Sequence, residues 1–256
     1  MRHFIVTAAT GLAVACLAGG CAASVQQPPA VFGNVTQGPV TSTSVSVDTT
    51  TGAAGNDGLS SSQLNAAITA ATAQATAVHV TGTVTSYGGV LTLDEHLKRN
   101  GPSSGTLVFE GASIPFVTTD SVDYFQLTAS FMTLVKLTDS AVRGMWVTSA
   151  SSYGQSAVTL FSTFITLKSF LSHGLAGNGD TFVYTGPGQL DSQNVAMYQD
   201  QGNTGLKFDY DFPAVGAALA LRASGGDSDN GLDLDFTWNQ QTTAVAVPPA
   251  SEIYTG

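Results

Sequence analysis

Val78, Val80, Gly82 and Val84 alternate with His79, Thr81, Thr83 and Thr85. Successive side chains of a strand point to opposite faces, so a period of two with apolar residues on one side describes a strand half in a core and half in water. Similar segments follow, separated by turn residues: Gly88-Gly89 before Val90 to Leu97, Asn100-Gly101 before Gly105 to Gly111, then Ile114 to Thr118 and Val122 to Leu127. Strands resume at Asp180 to Tyr184, Asn194 to Asp200, Gly205 to Asp211, Ala217 to Arg222 and Leu232 to Trp238, with Asn230-Gly231 as the turn into the last. A short extended piece is expected from Ala244 to Val247. Short strands joined by tight turns make an antiparallel sheet, and that sheet needs a cover for its apolar face.

Helical spacing supplies the cover. Ser60-Ser61-Ser62-Gln63 is a capping box, after which Leu64, Ile68, Ala71 and Ala75 fall on one face of a helix ending near Ala77. Ser130 to Lys136 carries Phe131, Met132, Leu134 and Val135. Gln155 to His173 reads as one long helix, with Leu160, Phe161, Phe164, Ile165, Leu167, Phe170 and Leu171 around most of its circumference and Lys168 as its single charge short of His173. A helix apolar nearly all round is buried on more than one side. The fold class expected is therefore α+β, an antiparallel sheet covered by helices.

Large rings pack poorly without gaps, and Phe109, Phe116, Tyr124 and Phe125 from the sheet would face Phe131, Phe161, Phe164 and Phe170 from the helices. With Leu93 and Ile165 these residues are the candidate lining of an apolar cavity, Phe125 standing as a further ring. An apolar cavity of that kind gains about 0.8 kcal/mol for each methylene it buries. A dry core built from the same rings is the plainer outcome for any one of them. Gly82 and Ala112 are the small residues at which added bulk would test for empty space, with the inward one depending on register.

The first residues bear on location. Met1, Arg2 and His3 precede an apolar run from Phe4 to Leu17 that is too short to span a bilayer, and Leu17-Ala18-Gly19-Gly20-Cys21 closes it with small residues at a cut. Residues 1–20 are expected to be a lipoprotein signal peptide and Cys21 the lipidated first residue, anchoring the protein outside the cytoplasm. Ala18 stands where such sites usually have Leu, and Cys16 is a rival with the same departure. A plain secretory signal cut nearby is the other reading. If Cys21 is modified and Cys16 leaves with the signal, the folded part has neither free thiol nor disulfide, and burial alone must hold it. Residues 21–59 are expected to be a tether rich in Ser, Thr, Gly and Pro, with Phe32 its one aromatic residue. Ala22 to Leu59 would reach about 35 Å as a flexible coil. Asn34-Val35-Thr36 matches a glycosylation acceptor by chance. The folded domain is assigned to residues 60–256.

Several functions fall to composition and motif. Removing Arg2 with the signal leaves seven basic residues against eighteen acidic ones, and such a surface repels phosphate backbones, so nucleic acid is excluded as a partner. Asp227-Ser228-Asp229-Asn230-Gly231 with Asp233 and Asp235 resembles the start of a calcium loop, but the twelfth position has no Glu and Asn230-Gly231 suits a hairpin. His79, His96 and His173 are far apart in sequence and are expected in surface or capping roles, not as metal ligands. Alternation puts neighbours in Asp94-Glu95-His96 on opposite faces, with solvated exposure the expected outcome. No Gly-x-Ser-x-Gly elbow, His-Glu-x-x-His pair or phosphate-binding glycine loop is present, so neither an enzyme nor a cofactor is expected.

Taken in order, several segments resemble the LppX/LprG lipoproteins of actinobacteria. They are Ala75 to Thr85 (ATAVHVTGTVT), Gly89 to Lys98 (GVLTLDEHLK), Gly105 to Gly111 (GTLVFEG), Phe131 followed by Gly144-Met145-Trp146-Val147, the Phe-rich stretch Phe161 to Leu171, and Phe236-Thr237-Trp238-Asn239 through Pro248-Pro249-Ala250-Ser251-Glu252. The resemblance runs from about Leu64 to Ile253, and Gly216 to Arg222 (GAALALR) has no match in it. It implies a half-barrel of the LolA/LppX type holding the acyl chains of a lipid or glycolipid, and a role in carrying such lipids outward through the envelope. A tethered scaffold or interaction module with a self-filled core and a working acidic exterior is the alternative. Cavity volume distinguishes the two.

Overall fold

The computed structural model describes residues 55–86, 89–173, 180–201, 205–240 and 245–255. Eleven strands form one antiparallel sheet: β1 (Ala77–Ser86), β2 (Gly89–Lys98), β3 (Ser103–Phe109), β4 (Ala112–Thr118), β5 (Asp123–Gln126), β6 (Trp146–Thr148), β7 (Phe182–Leu190), β8 (Gln193–Asp200), β9 (Phe208–Pro213), β10 (Arg222–Gly226) and β11 (Gly231–Trp238). Their spatial order is β6-β5-β4-β3-β2-β1-β11-β10-β9-β8-β7. The chain thus runs as a meander from the centre to one edge, crosses to the far edge, and returns as a second meander until β11 pairs with β1. The sheet is curved and unclosed, so the half-barrel expectation holds.

Helices supply the crossing and the filling. Helix α1 (Ser61–Gln74) opens on the expected capping box, with the Ser60 hydroxyl accepting from the Gln63 N–H and the Gln63 side chain accepting from the Ser60 N–H. It ends at Gln74, three residues before the expected Ala77, and buries Leu64 and Ile68. Helix α2 (Ala129–Leu134) is capped by the Thr128 hydroxyl and buries Phe131 and Met132. Gln155 to His173 is not one helix. It forms α3 (Ser152–Phe161) and α4 (Leu167–His173), separated by a turn at 162–166. The break lets a short segment round a concave surface, since Thr166 and the β-branched Ile165 occupy the turn while Phe161 and Phe170 stay buried on either side.

Curvature follows from glycines at strand contacts. Gly82 in β1 has φ +136, and a Cβ there would overlap the Asp233 carbonyl oxygen of β11. At Gly105 in β3, a Cβ would lie 2.6 Å from the Asp94 carbonyl oxygen and 2.7 Å from Cα of Glu95 in β2. Neighbouring backbones approach this closely only where no side chain intervenes, which allows a strongly coiled sheet. Gly82 is therefore not a residue whose added side chain would enter a cavity, whereas Ala112 is buried in the core.

Several boundaries differ from the sequence expectation. Residues 217–221 form no strand, and β10 begins at Arg222. The short strand β6 had no expected counterpart, and the piece expected at 244–247 lies partly outside the described residues and has no strand at 245–247. The fold also begins before residue 60. The buried Asn56 side chain donates to the Pro213 carbonyl at 2.7 Å, and the Tyr198 hydroxyl donates to the Asn56 carbonyl at 2.6 Å while accepting from the Leu59 N–H at 2.8 Å. Residues 55–59, expected as the end of the 21–59 tether, are thus pinned across β8 and β9, and the rest of that tether and the signal, at residues 1–54, lie outside the described residues. Among the described residues no helix is long and apolar enough to cross a membrane.

Candidate functional site

The concave face gathers most of the expected lining. Leu93, Phe116, Phe131, Phe161, Phe164, Ile165 and Phe170 belong to one buried cluster that also holds Leu91, Leu97, Leu107, Ile114 and Phe125. Phe109 is partly buried against it, with its ring centroid 6.4 Å from that of Phe161 in an edge-on contact. Phe131 stands 6.4 Å from Phe161 on another side, and Phe170 lies 6.2 Å from Phe236 of β11. The helices α3 and α4 thus reach β3 and β11, which together span the middle of the sheet. Polar anchoring across this contact includes a buried bond from the Thr118 hydroxyl to the Ile165 carbonyl at 3.3 Å.

Tyr124 is the exception. It pairs with Val117 and Thr148, whereas its neighbour Phe125 pairs with Phe116 and Val147 and is fully buried. Tyr124 therefore faces away from the concave side and has no place in the cluster. Two adjacent rings in a four-residue strand give no alternation to read, and only pairing with β4 decides which one enters the core.

These side chains pack together in one cluster. An opening among the described residues has room for little more than one water-sized molecule. That is far less than an ordinary ligand pocket holds. Ile68 and Thr72 of α1, Tyr210 and Phe212 of β9, Trp238 of β11, and Ala218, Leu219 and Ala220 line it. The last three belong to the alanine-rich segment that the sequence resemblance does not match. That segment runs between β9 and β10, and the Trp238 indole N–H holds it by donating to the Ala220 carbonyl at 2.6 Å. Small side chains at Ala218 and Ala220 leave the gap, and the apolar lining continues into the core through Ile68, Tyr210, Phe212, Ala218 and Ala220.

A second aromatic group flanks the opening. The Phe182 ring meets Tyr198, Tyr210 and Phe212 edge-on with centroids 6.4, 5.7 and 6.4 Å away. Burial pushes the Tyr210 phenol well up, with the Asp180 and Asp200 carboxylates adding to the effect. None of these four was singled out from the sequence, although Phe208, Tyr210 and Phe212 alternate as a half-buried strand would.

Glu95 is a further residue that the sequence reading misplaced. It is fully buried, neither carboxylate oxygen has a hydrogen-bond partner, and burial raises its pKa well above the usual value with Asp94 contributing in the same direction. Leu91, Leu93, Glu95 and Leu97 alternate inward along β2, so phase places Glu95 on the apolar face despite its charge. Its cross-strand neighbours are Val80 and Gly105. Asp94 is exposed, as expected, and His96 is half-buried. On the convex side the expected separation of histidines fails, because His79 and His96 are direct cross-strand partners. The side chain of His173 lies outside the described residues. Asp227 caps the β10–β11 turn, its carboxylate accepting from the N–H groups of Asp229 and Asn230.

An open antiparallel sheet, curved over a sealed helix pair, defines the class as a half-barrel with an apolar concave side. Among solved structures, this one is similar to LprF from Mycobacterium bovis, at 14% identity over 73% of this chain and 96% of that one, with a TM-score of 0.48. It is similar also to the Mycobacterium tuberculosis lipoprotein LppX, at 16% identity, 71% and 98% coverage and a TM-score of 0.45, and LppX gives its name to the family the sequence resembles. An uncharacterized conserved protein from Thermus thermophilus follows at 9% identity, 75% and 97% coverage and a TM-score of 0.38. No family model matches the chain, and no curated protein matches it. At these identities and scores the likenesses assign no residue and no activity to this chain.

Proposed function

We propose that this protein is a membrane-anchored envelope lipoprotein whose concave apolar face takes the acyl chains of a lipid or glycolipid and carries them through the envelope. The observation that supports this most is the opening at Ala218 to Ala220, whose lining residues Ile68, Tyr210, Phe212, Ala218 and Ala220 belong to the same buried cluster as Phe161 of α3 and Phe170 of α4. The space present is too small for an acyl chain, so entry requires the helix pair to lift. The turn at 162–166 is its joint, and the bond from Thr118 to Ile165 is a polar contact that lifting would break. The small size of the opening favours a second reading, a tethered scaffold that uses its acidic exterior. Mass spectrometry of lipids extracted from protein purified out of its native membrane separates the two: carried lipid in stoichiometric amount supports the carrier, and none supports the scaffold.

Two variants sharpen the test. Ala218→Leu fills the opening at a cost of about 1–3 kcal/mol, and should lower co-purifying lipid several-fold while cooperative thermal unfolding persists. Unchanged lipid content in the folded variant would move the entrance elsewhere. Cys21→Ala should release the protein into the medium, because stable anchoring depends on more than one acyl chain. Retention of that variant on the membrane, with release of Cys16→Ala instead, would shift the processing site to Cys16.

A further inference from the structure

On the convex face, remote from the proposed lipid path, β1 and β2 bring together three side chains that the sequence keeps apart. His79 and His96 face each other across the strands, and Asp94 lies two residues from His96 on the same face, opposite Thr81. The imidazole rings stack with centroids 3.9 Å apart and planes 16° from parallel. The Nε2 atom of His79 is 2.9 Å from Oδ1 of Asp94. One nitrogen from each ring and one carboxylate oxygen all lie within 4.8 Å of one another. The Nδ1 atom of His96 is shielded from solvent and has no hydrogen-bond partner.

We infer that His79, His96 and Asp94 form a binding site for a first-row divalent metal ion of the zinc class. Two imidazoles and one carboxylate are the donor set of a three-ligand zinc site, which leaves a fourth position for water or an incoming group. Calcium and magnesium require several oxygen donors, and imidazole nitrogen suits neither. Stacked rings aim their lone pairs in nearly parallel directions, so binding needs the rings to splay. Both are only partly buried, which leaves their side-chain bonds room to turn. Adjacent strands in fixed register hold all three donors, so an ion there would clamp β1 to β2 in the middle of the sheet.

The test is a zinc titration of the processed full-length protein in detergent, purified without a histidine tag, followed by calorimetry and by the ring resonances of its histidines. One ion should bind per molecule in the micromolar range, shift the His79 and His96 resonances together, and raise the melting temperature. His79→Ala and His96→Ala should each weaken binding more than about tenfold, Asp94→Asn should weaken it less, and magnesium should not compete. Absence of saturable binding below millimolar zinc would overturn the site, as would unchanged affinity in the His79→Ala/His96→Ala double variant. These side chains face the convex surface, so both variants are expected to melt cooperatively without zinc, which separates lost binding from lost fold.

Discussion

Gly82→Ala is expected to abolish cooperative folding or lower stability by more than about 4 kcal/mol, an effect well beyond that of an ordinary substitution. Two causes combine. At φ +136 any L side chain is strained, at about 1–3 kcal/mol, and here the new Cβ would also collide with the Asp233 carbonyl and Cα of Leu234. Gly186 provides the control, because its φ is +137 and a Cβ there would meet nothing within 4 Å. Gly186→Ala should therefore cost only the strain, and the difference between the two variants in urea melts measures the close approach of β1 and β11. Equal losses at the two positions would show that β11 can move aside, and the sheet would then owe its curvature to something other than this contact.

Glu95→Leu is expected to stabilise the domain by about 1–3 kcal/mol at neutral pH, since leucine of similar size replaces a buried carboxyl group without partners. The gain should depend on pH. Burial raises the Glu95 pKa in the folded state, so the folded protein keeps a proton that the unfolded chain releases near 4.5. Its stability is therefore greatest below that pH and falls as pH rises through the folded-state value, at up to about 1.4 kcal/mol per unit. Urea melts of both proteins at successive pH values should show the wild type falling behind the leucine variant above about pH 4.5, near the ordinary value for glutamate. A constant gap across that range would mean that the carboxyl group has an ionised, compensated state in the fold. Glu95→Gln keeps a buried polar group without its titration and should remove the pH slope while leaving most of the cost.

The strands were legible wherever alternation was clean. Leu91, Leu93 and Leu97 fix the phase of β2, and the same phase places Glu95 inward, although its charge alone argues for the surface. Local pattern gives out where strands are short. Three-residue β6 has no period, and in β5 the choice between Tyr124 and Phe125 rests on pairing with β4, where Phe116 meets Phe125. The Phe-rich stretch announced burial but not its break, because residues such as Thr163 and Thr166 are compatible with either a helix or a turn. Contacts between distant segments were out of reach. Asn56 gains its place from Pro213, and His79 and His96 meet only because the β1–β2 register sets them opposite. The alanine-rich segment stands out in the sequence only as a stretch without a match in the family resemblance, and its role in bounding an opening depends on Trp238 and α1 packing beside it.

The pairing of the last strand with the first has a consequence for how the molecule is made. From β1 to β6 each strand pairs with its predecessor, so half of the sheet can assemble hairpin by hairpin as the chain emerges N-terminus first. The seam from Val78↔Trp238 to Thr85↔Gly231 cannot close until nearly the whole chain is present. Until then the long edge of β1 stays open, exposing unpaired backbone groups that invite pairing with another chain. Truncation before β11, or slow delivery of the C-terminal third, would prolong that interval, and aggregation would then be decided by timing and not by the stability of the finished fold.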